Sequence, residues 1–139
     1  MSTIPVIPAT SYTLTLELPL PFAEAVPKVV AALAANGFGI LTEIDIQATL
    51  KKKLDADTRP YIILGACNPP LAHRALIAEP AIGALLPCNV VVAANDSGGV
   101  TVSAIDPVAM FGVVGRPDIE PLAIEVRERL QAALDAAAA

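Results

Sequence analysis

Short segments in which apolar residues alternate with polar ones, or follow one another without interruption, predict five β-strands. From Tyr12 to Leu18 every second residue is apolar, which is typical of a strand with one buried face. The run from Tyr61 to Cys67 is almost wholly apolar and predicts a buried central strand. Another strand is predicted over Ile40 to Ile46. The last two, Cys88 to Ala94 and Val100 to Ile105, flank a turn of Asn, Asp, Ser and Gly and form a hairpin.

Apolar residues recur at helical spacing in two longer segments. The first helix is predicted to begin near Ala23, with Pro27 close to its first turn, and to end at Asn36-Gly37. The last is predicted over Pro117 to Ala139, where Glu125 and Arg129 are one turn apart and can pair. The remaining segments are predicted as short helices over Thr49 to Leu54 and Leu71 to Ala78, a turn or short helix over Pro80 to Leu86, and an irregular stretch over Val108 to Gly115.

This order of elements predicts an α+β fold: a two-layer sandwich in which a mostly antiparallel sheet carries helices on one face. A chain of 139 residues suits one domain. Residues 1–10 contain two prolines and small polar residues, so we expect an irregular N-terminal arm followed by a single domain over residues 11–139.

Composition narrows the range of functions. With 55% hydrophobic residues the chain has ample material for a core, which excludes a disordered protein. A net charge of −5 and an aromatic content of 4% argue against nucleic-acid binding. The mean hydropathy is high, at +0.62, but the most apolar stretch, Ala81 to Ala94, is interrupted by Gly83, Pro87 and Asn89 and is too short to span a membrane. No Lys or Arg precedes Lys28, so we expect no secretory signal and a cytoplasmic location with reduced thiols.

The excess of apolar residues also bears on assembly. A domain of this size cannot bury all of them, and a large apolar surface usually has a partner. Much of the excess is Ala, which a helix surface tolerates. The sequence nevertheless favours a homodimer, because closed dimers are the commonest assemblies.

Each of the two cysteines is followed by an asparagine, at Cys67-Asn68-Pro69 and at Pro87-Cys88-Asn89. Cys67 ends one predicted strand and Cys88 begins the next, so antiparallel pairing of these strands would bring the thiols to one edge of the sheet. His73 lies between them in sequence. Three interpretations stay open. Cys67, Cys88 and His73 could hold a thiophilic metal; one thiol could act as a nucleophile or redox group with His73 as base; or both cysteines could be core residues and both asparagines turn caps.

Motifs of known catalytic chemistry are absent from the sequence. It contains no GxGxxG or GxxxxGK[ST] segment and no nucleophile elbow, and a single His leaves little room for a catalytic triad. Lys51 to Lys53, and Glu43 with Asp45, are typical of solvated surfaces. Whether the protein is an enzyme stays undecided, with the balance against it.

Two sequence blocks, YIILGACNPP (residues 61–70) and GALLPCNVVV (residues 83–92), together with the later Asp106-Pro107, resemble the domain of unknown function family 302. The resemblance extends from about Ser11 to the last helix. The resemblance implies a compact, homodimeric α+β domain of bacterial or archaeal origin, and no established activity. Carried over to this chain, the candidate site comprises Cys67, Asn68, Pro69, Pro87, Cys88 and Asn89.

Together these observations favour a small homodimeric module that binds a small ligand or a metal between the two Cys-Asn loops, with Cys67, Asn68, Pro69, His73, Pro87, Cys88 and Asn89 as candidate site residues. The alternatives are a thiol-dependent redox carrier or enzyme using Cys67 or Cys88, and a structural interaction module with buried cysteines.

Overall fold

A computed structural model describes residues 3–139, which form one five-stranded sheet with the strand order β1-β5-β4-β3-β2. Every neighbouring pair of strands is antiparallel. β1 and β2 are therefore the two edges, and β4 is the central strand. The strands are β1 (Thr13–Leu18), β2 (Gly39–Asp45), β3 (Tyr61–Cys67), β4 (Cys88–Ala94) and β5 (Val100–Ile105).

Five helices complete the fold, and the two longest, α1 and α5, pack against each other. Short 3-10 turns at Pro80–Leu85 and Pro117–Ile119 precede β4 and α5 respectively. The helices are α1 (Phe22–Ala35), α2 (Ile46–Leu54), α3 (Pro69–Ala78), α4 (Pro107–Gly112) and α5 (Glu120–Ala138).

The core lies between the sheet and the helices. The strand registers place Leu64, Val90 and Ala104 side by side on one face, which we call the helix face, and all three are fully buried. Val29 of α1 and Leu130 of α5 are equally buried in the same apolar cluster. The opposite face of the sheet, which we call the open face, carries the alternate residues. The predicted α+β sandwich with helices packed on its antiparallel sheet is confirmed.

Local polar groups set several boundaries that hydrophobic patterning placed differently. β2 ends at Asp45, before the predicted Ile46, because the Asp45 side chain accepts a 2.9 Å hydrogen bond from the backbone N–H of Ala48 and so begins α2. The stretch predicted as irregular contains α4. There the Asp106 carboxylate caps the helix by accepting from Val108 N at 2.9 Å, and Met110 is buried.

Two prolines modify the predicted long helices without breaking them. Pro27 lies inside α1, beyond its first turn, on an exposed position of a helix that continues to Ala35. The last helix begins at Glu120 and not at Pro117, because Pro117 opens the preceding 3-10 turn.

The N-terminal arm, residues 3–10, contains no helix or strand and is tied to the segment before β3. Ile4 N donates to Thr58 Oγ1 at 2.8 Å, and Arg59 Nε donates to Ile4 O at 2.6 Å. Arg59 Nη1 also donates to Ala94 O at 3.0 Å, at the end of β4. Ile7 of the arm lines a shallow depression with Tyr61 and Asn89 on the open face. The arm therefore belongs to the side of the sheet that the helices leave uncovered.

Among residues 3–139, no helix is both long enough and apolar enough to cross a membrane.

One buried hydroxyl lacks a hydrogen-bond partner within the described chain. Thr101 is 1% exposed on the open face, opposite Ala93 of β4, and its Oγ1 is unpaired. We expect Thr101→Val to raise the free energy of unfolding by about 1 kcal/mol, because the substitution removes an unsatisfied polar group and preserves shape. Thr101→Ser, which keeps the hydroxyl and removes a buried methyl group, should lower it by about 1 kcal/mol. Urea denaturation measures both, and a Val variant less stable than the parent would contradict this assignment.

Candidate functional site

The two Cys-Asn turns lie together at one end of the strands β3 and β4, as their positions in sequence predict. β3 and β4 are antiparallel neighbours, and their register sets Ala66 opposite Cys88. The end of β3 therefore meets the start of β4, and Asn68 follows β3 at this same end of the sheet. This juxtaposition depends on strand pairing, since 20 residues that include α3 lie between the two cysteines in sequence.

The two thiols differ in burial and in their position along the strands. Cys88 shares the helix face with its partner Ala66 and is 5% exposed. Cys67 is the next residue after Ala66, at the end of β3, and is half-buried. Both cysteines are free. Cys67 nevertheless lies close enough to Cys88 to contribute to the raised pKa of the Cys88 thiol.

Asn68 begins α3 and is the most buried of the candidate polar residues, at 7% exposure. Its Oδ1 accepts a 3.3 Å hydrogen bond from Leu71 N, which caps the helix, and Pro69 and Pro70 occupy the first helical positions. Its Nδ2 faces Gly37, where a Cβ atom would come within 2.8 Å of it. Gly37 has a φ of +89°, so both its backbone conformation and this close approach favour glycine.

The second Cys-Asn turn is arranged differently. Asn89 is exposed on the open face and lines the depression beside the N-terminal arm, away from Asn68. Pro87, which follows a cis peptide bond, packs beside Gly65. A side chain at Gly65 would collide with Thr42 Oγ1 and Pro87, which explains why glycine occupies this position of β3.

The three residues expected to hold a metal do not form a ligand set. His73 is exposed on α3, on a side of that helix away from its buried residues Leu71 and Ala75. Across residues 3–139, no three His, Cys, Asp or Glu side chains are grouped so that they could hold a metal ion. The sequence suggested convergence because His73 lies between the cysteines, but the helical turn that carries it directs it outwards.

A cavity of ≈ 270 Å³ lies where β3 and β4 meet the helix layer. Cys67, Asn68, Pro87 and Cys88 all contribute to its wall, whereas Pro69, His73 and Asn89 do not. No charged residue lines it, and Asn68 is the one residue with an amide side chain. The remaining lining residues are Phe38, Leu41, Ala66, Leu71, Ala72, Leu76, Gly83, Leu86, Phe111 and Val126.

Two of these lining residues, Leu41 and Leu76, are 65% and 39% exposed. Leu41 sits at an irregularity of β2, where the pairing with β3 shifts between Ile40 and Thr42. Such a bulge redirects a side chain that regular alternation would place elsewhere. The consecutive apolar residues Ile40-Leu41 were the only trace of this bulge in the sequence, and sequence reasoning missed Leu41, Leu76 and both phenylalanines as site residues.

Burial changes the chemistry of the thiols. It raises the pKa of Cys67, and it raises the pKa of Cys88 to about 11, with a smaller contribution from the nearby Cys67. Desolvation disfavours the charged thiolate, so both groups are protonated at neutral pH. A nucleophilic or redox cysteine requires a lowered pKa. These thiols instead act as small, weakly polar parts of an apolar wall.

The raised pKa values predict slow alkylation of the native protein by iodoacetamide. At pH 7.5 Cys88 should react at least about 100-fold more slowly than the same residue in the denatured chain, and its rate should still be rising with pH at pH 10 because the thiolate reacts. Cys67 should react faster than Cys88, since it is less buried. Mass spectrometry of peptides from timed samples measures both rates. Alkylation of native Cys88 as fast as in urea would contradict the assignment.

Comparison with known proteins agrees with this architecture. The crystal structure of an uncharacterized conserved DUF302 protein from Bacillus stearothermophilus is similar to this chain, with a TM-score of 0.86 and 26% sequence identity. The match covers 92% of this chain and 99% of that chain. No curated protein matches the chain. The model of the family described as domain of unknown function DUF302 matches residues 13–137, which include both Cys-Asn turns and all five strands. The chain therefore belongs to the DUF302 family.

Proposed function

We propose that this protein is a binding or accessory module that holds a small apolar molecule in the cavity between the two Cys-Asn turns. The observation that carries the proposal is the cavity wall, which contains no charged residue and combines buried Phe38 and Phe111 with exposed Leu41 and Leu76. Ligand sites are concave and mostly apolar, with a few polar groups that orient the ligand. Asn68 supplies that polar group here.

The size of the cavity limits the ligand. An apolar protein cavity of about 150 Å³ holds one benzene molecule. The cavity of ≈ 270 Å³ therefore suits a ligand with about ten non-hydrogen atoms. Ligands of this size gain roughly 0.3–1.5 kcal/mol of binding free energy per atom, which predicts affinities in the micromolar to millimolar range.

Binding is better supported than catalysis. The cavity contains protonated thiols, and His73, the base that a thiol enzyme would need, is exposed on α3 and does not line it. Acid–base catalysis requires a group that titrates near neutral pH within hydrogen-bond reach of the substrate. The residues in the wall offer shape and apolar contact, which select a ligand but do not transform it.

Octanamide, a neutral molecule with about ten non-hydrogen atoms, is a suitable probe of this cavity. We expect isothermal titration calorimetry to detect its binding to the native protein. Ala72 lines the cavity and is half-buried, so Ala72→Phe should fill the cavity and weaken binding at least about tenfold. Ala78→Phe, at an exposed position of the same helix, is the matched control and should bind as the parent does. Absence of binding to the parent, or equal binding by both variants, would refute the proposal.

We also propose that the protein is a homodimer joined through β2. This edge strand is exposed along nearly its whole length and presents Leu41 and Ile44, which is 46% exposed, whereas the other edge strand, β1, has no large exposed apolar side chain. An open edge pairs readily with another strand. Two-fold antiparallel pairing centred on Thr42 sets Glu43 opposite Leu41, so it brings no like charges together.

Sedimentation velocity tests the dimer. The parent should sediment with twice the 14.3 kDa mass of the chain. Ile44→Lys should sediment as a monomer, because two-fold pairing would bury the introduced charge. Leu54→Lys is the control, since Leu54 is 71% exposed on α2, and it should remain dimeric. A monomeric parent, or a dimeric Ile44→Lys variant, would exclude this interface.

A further inference from the structure

A second, polar depression adjoins the apolar cavity, and the two share Asn68 and Leu71 in their walls. It lies between the start of α3, the middle of α5 and the turn that follows α1. Its lining residues are Gly37, Asn68, Pro70, Leu71, Arg74, Glu125 and Arg129. Unlike the cavity, this depression is rich in hydrogen-bond donors.

The oxygen and the nitrogen of the Asn68 carboxamide have different surroundings. Oδ1 is occupied by the N–H of Leu71, which fixes the orientation of the amide group. Nδ2 has no hydrogen-bond partner within residues 3–139 and lies beside Gly37, which lines the polar depression. Thr101 Oγ1 is the one buried side-chain polar atom without a partner among residues 3–139, so Nδ2 of Asn68 is open to solvent and can donate to water or to a ligand. This donor, beside Gly37, is therefore accessible to an acceptor atom of a ligand in the polar depression.

The charges around this depression leave a net positive group. The spacing of Glu125 and Arg129 on α5 suggested that they pair, but Glu125 Oε2 instead accepts from Arg74 Nη1 at 2.9 Å. Arg129 forms no ion pair or hydrogen bond in the part of the chain that the structure describes. Two guanidinium groups and one carboxylate thus line the depression, in a protein whose net charge is −5. An acceptor that is also an anion matches this arrangement better than a neutral one.

We propose that the cavity and the polar depression together bind an amphipathic carboxylic acid. Its apolar chain fills the cavity, and its carboxylate accepts hydrogen bonds from Asn68 Nδ2 and pairs with Arg129. This inference rests on the proposed function, because it assigns the apolar chain to the same cavity. It adds the chemical class of the ligand, and it gives Asn68 and Arg129 a role that neither the helix cap nor the surface charge explains.

Octanoate and octanamide form a matched pair of probes, because they have nearly the same shape and differ in charge. Calorimetry at low ionic strength should show octanoate binding the parent at least about tenfold more tightly than octanamide, since a charge-assisted hydrogen bond is worth more than a neutral one. Arg129→Gln should abolish this preference and leave octanamide binding unchanged. Lys52→Gln removes one positive charge from an exposed position on α2 and should preserve the preference.

The outcomes separate this inference from the proposed function. If octanamide binds the parent as tightly as octanoate does, the carboxylate site is refuted and the apolar cavity stands. If Lys52→Gln loses the preference to the same degree as Arg129→Gln, overall charge explains it and the assigned contact is wrong. If neither probe binds the parent, both proposals fail. Circular dichroism of each variant confirms that the fold is retained, which is expected because Arg129 and Lys52 are both exposed.

Discussion

The pairing of β3 with β4 in the register that sets Ala66 opposite Cys88 is the constraint on which the rest of this structure depends. It directs Leu64, Ala66, Val90 and Val92 towards the helices, and all four are fully buried. A slip of one residue would turn this apolar set to the open face and expose it. The same register brings the two Cys-Asn turns together at one end of the sheet. Core packing, the meeting of these turns and the position of the cavity are thus consequences of one strand pair.

Much of the sheet could be predicted from the sequence because its signals are local. The bounds of β3, β4 and β5 agree with the apolar runs that predicted them, and the hairpin between β4 and β5 follows from Asn95 to Gly99. The meeting of the two Cys-Asn turns followed from antiparallel geometry alone. Helix ends were harder, since the Asp45 and Asp106 caps depend on individual hydrogen bonds that periodicity does not contain.

The cavity itself was beyond sequence reasoning for a different physical reason. Phe38, Leu76, Phe111 and Val126 come from the turn after α1, from α3, from α4 and from α5, and no spacing along the chain connects them. Cysteine and histidine attract attention because their chemistry is distinctive. Here, however, Cys88 is a buried residue in the wall of an apolar cavity, and His73 is exposed on the surface of α3. The cavity is lined mainly by ordinary residues such as leucine and phenylalanine, which a sequence presents first as core residues.

The helix cap at Asn68 bears on which side chains this position could accept. One carboxamide holds the first turn of α3 through Oδ1 and presents Nδ2 beside Gly37, so a substitution here changes both the cap and the donor. Aspartate would cap α3 equally well but would present a negative oxygen to the depression. Serine or threonine would also cap α3, but neither has a second polar group that could donate beside Gly37. In the proposed binding mode, exchanging Asn68 for another good capping residue would therefore keep the helix and weaken carboxylate binding.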